Sequence, residues 1–313
     1  MKDLKFVCCQ PAIFYYAWQI DVMLHNFLEN GVKPENIHIV SAVYPDFPKE
    51  WIDLVNKYKG VKFSFYPDQR KDRSYIPSIY FFLMKKHMEA YPELQDANLF
   101  LHDCDIIFTR PVDFSSMLED DVWYLSDTVG YIGTQYILTK GEDVYLDMCR
   151  VMDIDPEIPK QRNADSGGAQ YLIKKSTPEF WQKVEDDSVK LYKHFCDTEK
   201  DYKGEGYPIQ KWTAGMWSFL WNIWKFGYQT KVDKRLDFCW TTDPISKIET
   251  HPILHNAGVT GPVMNGVNYF YKGKYHKGEN PFTDPHLDVV LNDEKAKTKC
   301  TWYYVNELIK LKK

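Results

Sequence analysis

No apolar run in this 313-residue chain, residues 79–84 among them, approaches the roughly 20 residues that a membrane-spanning helix needs. The opening residues, Met1-Lys2-Asp3-Leu4-Lys5, lack the apolar stretch of a signal peptide, and neither end carries a lipidation signal. No membrane span is therefore expected, and a cytoplasmic location is. The seven cysteines are an odd number without CxxC spacing, and Cys8 and Cys9 are adjacent. That pattern excludes a disulfide scaffold and a cysteine-based zinc module, leaving reduced and mostly buried thiols. A formal net charge of −5 removes any global electrostatic footprint for nucleic acid or anionic membrane. Basic patches would have to be local, around Lys272 and Lys274 or along 225–235. No internal repeat or low-complexity linker divides the chain, which favours one domain over 1–313. Aromatic residues, in contrast, are plentiful at 16%, with 10 Trp and 22 Tyr. Most belong in a core, and some would suit a groove for flat-faced ligands such as sugars or bases.

Strand and helix signals alternate through the first third. Residues 5–9 form a short apolar strand that Gln10-Pro11 should break. Residues 15–29 carry Trp18, Val22, Phe27 and Leu28 at helical spacing, with Asn30-Gly31 as the stop. A strand over 37–43, a helix over 49–58 ended by Gly60, and a half-exposed strand over 61–65 follow. The next helix, 74–90, buries Ile76, Ile79, Tyr80, Leu83, Met84 and Met88 and tolerates Pro77 only in its first turn. The apolar strand entering Asp103 completes a β-α-β-α-β-α-β order, which predicts a mainly parallel, doubly wound sheet flanked by helices. Beyond it come a strand over 122–126 and a helix over 143–152. A turn over 163–170 should feed a helix over 171–175. Helices over 178–197 and 212–226 follow, then short strands near Phe238 and Ile253 and a Gly- and Tyr-rich elaboration.

The chemistry concentrates at a few places. Asn98-Leu99-Phe100-Leu101 runs into His102-Asp103-Cys104-Asp105, with Ile106-Ile107-Phe108 behind. A buried strand would thus deliver two carboxylates to the edge of the sheet where α/β proteins bind ligands. In a strand both would share one face while Cys104 packs. Such a pair can hold a divalent cation together with a phosphate-bearing ligand. His251-Pro252-Ile253-Leu254-His255-Asn256-Ala257-Gly258 is a second short strand, ending on an imidazole. Asp103, Asp105 and His255 form a sensible ligand set for Mn²⁺, or Mg²⁺. In the turn Asp165-Ser166-Gly167-Gly168-Ala169-Gln170, Asp165 would deprotonate an acceptor hydroxyl and Gln170 would bond a sugar, or Asp165 and Ser166 merely cap a helix. Asp127, at a strand end, carries the same ambiguity. Of the tryptophans, Trp212 at a helix start is the candidate for stacking on an acceptor. Arg70 and Arg73 would fork onto phosphate or a base edge, or lie in a solvated loop.

These motifs resemble those of glycosyltransferases of the GT-A fold. The pair His255/Gly258 with Lys272 and Lys274 beyond it is similar to retaining transferases of the glycogenin and lipopolysaccharide galactosyltransferase type. No Lys-Pro-Trp follows the glycine, however, and the basic residues lie later. The runs 101–108 and 165–170 also look like uncharacterised transferases of large phage genomes and some bacteria. The resemblance implies a GT-A-like Rossmann-type domain, with 1–110 as nucleotide-binding half and 111–313 as acceptor-binding half and C-terminal elaboration. It implies a hexosyl- or pentosyltransferase using a nucleotide-diphosphate sugar, a UDP-sugar by preference. Gln10 and Pro11 would hold the nucleoside, and Lys272 or Lys274 the diphosphate. The acceptor would be a hydroxymethylated pyrimidine in phage DNA, in the host cytoplasm, or else a saccharide or lipid-linked hydroxyl. Readings from other classes are a two-metal phosphoesterase or nuclease and a non-catalytic sugar-nucleotide-binding module.

Overall fold

The computed structural model describes residues 4–202 and 208–312; Met1 to Asp3 and Lys313, on which the reading of the chain ends partly rests, lie outside them. Its strands include β1 (Leu4–Pro11), β2 (Ile37–Val43), β3 (Lys62–Pro67), β4 (Asn98–Leu101), β5 (Ile106–Phe108), β6 (Trp123–Asp127), β7 (Gly167–Lys174), β8 (Thr230–Val232), β9 (Phe238–Trp240) and β10 (Ile253–His255). Seven make one sheet in the order β3-β2-β1-β4-β7-β6-β8. The ladders β1–β2, β2–β3, β1–β4 and β6–β8 are parallel, and β7 runs antiparallel to both β4 and β6. The mixed α/β architecture with a mainly parallel central sheet is thus the expected one. The crossovers are α1 (Phe14–Glu29), α2 (Lys49–Lys57) and α3 (Ile79–Ala90).

Alternation along the strands builds two cores, one on each face of the sheet. Val7, Cys9, Leu99, Leu101, Leu125 and Ile173 pack with α3 and the helices Pro178–Thr198 and Ala214–Lys225. Phe6, Cys8, Ile39, Phe100 and Leu172 pack with α1 and α2. A third cluster joins Trp18 of α1 to Ile107, Leu254 and the helix Cys300–Ile309, seating the C-terminal elaboration on α1. Among the described residues no helix is long and apolar enough to cross a membrane.

Four local expectations are corrected. Gln10-Pro11 does not break the strand but forms its last two residues, and β4 has already stopped at the Val7↔Leu101 pair. Past that point Pro11 needs no N–H on that side and still pairs with Ala42. The helix expected over 74–90 begins as the 3-10 turn Ile76–Ser78, and Ile76 is 71% exposed rather than buried. The carboxylate pair does not lie on a strand face, since β4 ends at Leu101 and Asp103 to Asp105 form the turn into β5. Cys104 nevertheless faces the packing, at 2% exposure.

The fourth correction is the largest. Residues 171–175 are not a helix, and the glycines before them are not a loop at a helix start. The glycines and residues 171–174 belong to β7, wedged between β4 and β6, and Lys175 follows it. The run Tyr171-Leu172-Ile173 is β-favouring and too short to hold a helix by itself. Gly167 allows the close approach of β6. An added Cβ would fall 2.6 Å from the Ser126 carbonyl oxygen and nearer still to Leu125 Cβ. Gly167→Ala should therefore destabilise the fold by about 3 kcal/mol, the upper end of overpacking costs. A denaturant midpoint within error of the parent would refute this.

Candidate active site

The turn 102–105 and the strand β10 meet because of one short ladder. β5 leaves the carboxylate turn and pairs antiparallel with β10, placing His255 opposite Ile106, the residue after Asp105. The Asn256 N–H donates to the Asp105 carbonyl at 2.8 Å, which locks the junction. On its other side β10 pairs with β9 in the register His255↔Trp240, and the Trp240 indole stacks on the imidazole at 5.2 Å. Gly258, at φ 83°, then turns the chain away.

Three candidate ligands converge here. One donor atom each from Asp103, Asp105 and His255 lies within 4.8 Å of the others. His255 Nε2 is 3.3 Å from Asp105 Oδ1 and 3.7 Å from Asp103 Oδ2. Such separations suit oxygen and nitrogen atoms sharing one cation through bonds of about 2.1 Å. Two carboxylates with one imidazole are also the donor set of a borderline or hard divalent ion. The residues therefore fit a metal. Asp105 is buried and Asp103 is 44% exposed at its side chain, so the second carboxylate opens to solvent.

Lys272 completes the group through an ion pair with Asp105 Oδ2. Burial alone would push the Asp105 carboxyl up, but the Lys272 ammonium and His255 outweigh it and hold the group well below the usual range. Asp103 shifts the other way: although one side of its carboxyl meets solvent, the packed surroundings on the other side and the Asp105 charge beside it raise it. For Lys272, burial opposes the charged form, and Asp105 more than compensates, keeping the ammonium charged. With both carboxylates ionised and one ammonium, the cluster carries a charge of −1. A diphosphate would be repelled by it. A divalent cation makes the sum +1 and reverses the sign.

The cluster opens into a cavity of about 500 Å³, whose lining also includes Gln10 at the end of β1, Tyr15 and Tyr16 of α1, and Trp212. That volume lies in the range of small-molecule sites. Of the sequence candidates, Gln10, Asp103, Asp105, Trp212, His255 and Lys272 line this cavity, and the remainder do not. Arg70 is buried and fully engaged: it clasps Asp68 with Nε and Nη2 at 3.0 Å each and donates to Ser78 Oγ at 2.9 Å. Arg73 also turns to Asp68, donating to its carbonyl. The Arg70 guanidinium is thus not free to fork onto phosphate, whereas Arg73 is 58% exposed at its side chain but lines no part of the cavity. Lys274 is spent on Asp284, 2.8 Å away.

Pro11 is held in the sheet ladder, and Asp127 accepts the Val129 N–H at 3.0 Å. Asp165 sits in the 3-10 turn Asn163–Asp165 and borders no part of the cavity. Gln170 lies within β7, fully buried, with neither side-chain polar atom hydrogen-bonded among the described residues. Sequence reasoning missed Trp240, Tyr80 and Tyr131. Only the Phe238-Cys239-Trp240 alternation hinted at the first, and the tyrosines reach the cavity through long-range packing.

A scan against protein-family models finds no match, and a search of curated proteins finds none either. Solved structures with a related chain path include the WbbM bifunctional glycosyltransferase, at 10% identity and a TM-score of 0.43. The match covers 83% of this chain and 47% of that one, so this chain spans about half of that protein's length. Mouse xyloside xylosyltransferase 1 matches at 12% identity and a TM-score of 0.44, over 81% of this chain and 97% of that one. The galactosyltransferase LgtC, solved with donor and acceptor sugar analogues, matches at 12% and 0.42, over 83% and 90%. At such identity no residue's role follows from these likenesses.

Proposed function

We propose that this protein is a metal-dependent glycosyltransferase that moves a sugar from a nucleotide-diphosphate sugar, a UDP-sugar by preference, to a hydroxyl acceptor. The observation that carries this reading is the convergence of Asp103, Asp105 and His255 beside Lys272 at the cavity. Asp103, Asp105 and His255 would hold a divalent cation, Mn²⁺ or Mg²⁺, which supplies positive charge to a leaving diphosphate. Lys272 adds a second, fixed positive charge where negative charge grows as the glycosidic bond breaks. Gln10, at the carboxyl end of β1, offers an amide to the nucleoside. A two-metal phosphoesterase would need a second ligand group, and the described residues offer only the one cluster.

The test is a thermal-shift screen of nucleotide sugars with and without Mn²⁺ or Mg²⁺. A donor at a hundred times its Kd should raise Tm by about 5 °C, and only when metal is present. A flat response across UDP-, GDP- and ADP-sugars with both metals would sink the reading.

A further inference from the structure

Most of the cavity wall takes no part in holding a cation or a diphosphate. Of the described residues lining it, only Asp103, Asp105 and Lys272 carry a formal charge at neutral pH, and these belong to the one cluster around His255. The wall built from the segment entering α3 and from the start of the helix Ala214–Lys225 is aromatic instead, with Tyr75, Tyr80, Phe81, Trp212 and Phe219.

Trp212 stands out among these rings. Trp51, Trp123, Trp181, Trp217 and Trp221 are fully buried, whereas Trp212 is 61% exposed. Its backbone is nonetheless anchored. Its carbonyl accepts the Tyr75 hydroxyl proton, and that hydroxyl accepts the Gly215 N–H at 2.8 Å. The result is an exposed indole on a fixed base, a platform that costs little further ordering when a ligand lands on it. Deeper in, Tyr80 and Tyr131 line the cavity, and neither hydroxyl is hydrogen-bonded to a described residue. Burial pushes both phenols up, with Asp103 adding to it at each, so they stay protonated and able to donate.

We propose that this wall is the acceptor subsite and takes an uncharged sugar ring, stacked on Trp212 and hydrogen-bonded by Tyr80 and Tyr131. The proposal rests on the glycosyltransferase reading and adds the acceptor's class to it. A pyranose has an apolar C–H face for the indole and a hydroxyl rim for the phenols. A duplex bearing a hydroxymethylated pyrimidine would need lysines or arginines for its phosphates, and this wall has none among the described residues.

The experiment titrates the full chain with lactose, maltose and cellobiose, followed by saturation-transfer NMR and tryptophan fluorescence. Uridine diphosphate with Mn²⁺ and a short duplex containing 5-hydroxymethylcytosine are titrated in parallel. At least one disaccharide should bind, and Trp212→Ala should weaken it about tenfold, the loss of one desolvated aromatic contact. Tyr80→Phe should weaken it in the same direction, with the nucleotide unaffected in both variants. The Trp212 ring is mostly exposed, so its removal leaves the fold in place, which an unchanged Tm verifies. The proposal is overturned if no disaccharide binds or if Trp212→Ala binds as the parent does. It is equally overturned if that variant loses the nucleotide instead, or if the duplex binds with a steep salt dependence. Saccharide binding that depends on Trp212, in a protein that binds no nucleotide with metal, would leave the subsite standing and remove the glycosyltransferase reading.

Discussion

Asp105→Asn is expected to lower donor turnover by a factor on the order of 10³ or more, several kcal/mol of transition-state stabilisation. Asparagine keeps the shape and one acceptor oxygen but removes a full charge from the ligand set. Asp105 touches both His255, at 3.3 Å, and Lys272, so its loss disconnects the cation from the rest of the site. The metal-dependent thermal shift should disappear together with turnover. Lys272→Met separates the two roles of this corner. Removing the ammonium frees Asp105 Oδ2, so metal affinity should rise while turnover falls, because the charge aimed at the diphosphate is gone. The two substitutions thus move metal binding in opposite directions and activity in the same one. Metal-dependent stabilisation that survives in Asp105→Asn at the parent's level would place the cation elsewhere and remove the mechanism.

The parts of this site that are legible in the sequence are those set by local chemistry. Apolar strands ending in Asp103 and in His255 are visible from residue type and spacing, and the strands and helices up to α3 fall close to where periodicity places them. What joins the two motifs is not local. Three residues of β5 pair with three of β10, and nothing in Ile106-Ile107-Phe108 names Ile253-Leu254-His255 as its partner. Arg70 fails as a ligand candidate for the same reason: its partner Asp68 is near in sequence, but the burial that commits the pair is tertiary. The misread of β7 has another cause. Gly167 and Gly168 look like a loop because glycine frees the backbone, whereas here it is the missing Cβ that counts, letting β6 and the Met216 and Tyr171 side chains come close. A pair of glycines carries both meanings, and only the neighbouring strand decides between them.

Stability should fall on mild acidification, and His87 should be a main cause. The ring is fully buried between β2, β3 and the end of α3. His87 Nε2 lies 2.8 Å from His38 Nδ1, and its Nδ1 lies 3.1 Å from the Tyr66 hydroxyl. The Tyr91 ring packs at 4.8 Å, and Lys62 lies over Tyr91 at 4.4 Å. Burial first, then the charges of His38 and Lys62, lower the His87 pKa from 6.5 to about 3. His102, also buried, is lowered to about 4. As pH drops below 6.5 the unfolded chain takes up these protons and the folded chain does not. Each histidine therefore withdraws about 1.4 kcal/mol per pH unit at full slope, until its folded pKa is reached. Glu185 opposes them, because burial, with Asp186 beside it, raises its pKa to about 7. It keeps a proton in the folded state that the unfolded chain releases above 4.5, so its contribution grows on acidification. His194, lowered chiefly by burial, adds to the histidines, so between pH 4.5 and 6.5 they outweigh the one glutamate and stability falls with pH. His87→Gln should reduce that slope by up to about 1.4 kcal/mol per pH unit, measured as urea-unfolding free energy at half-unit pH steps. An unchanged slope in the variant would show that His87 takes up its proton in the folded protein as readily as in the unfolded chain.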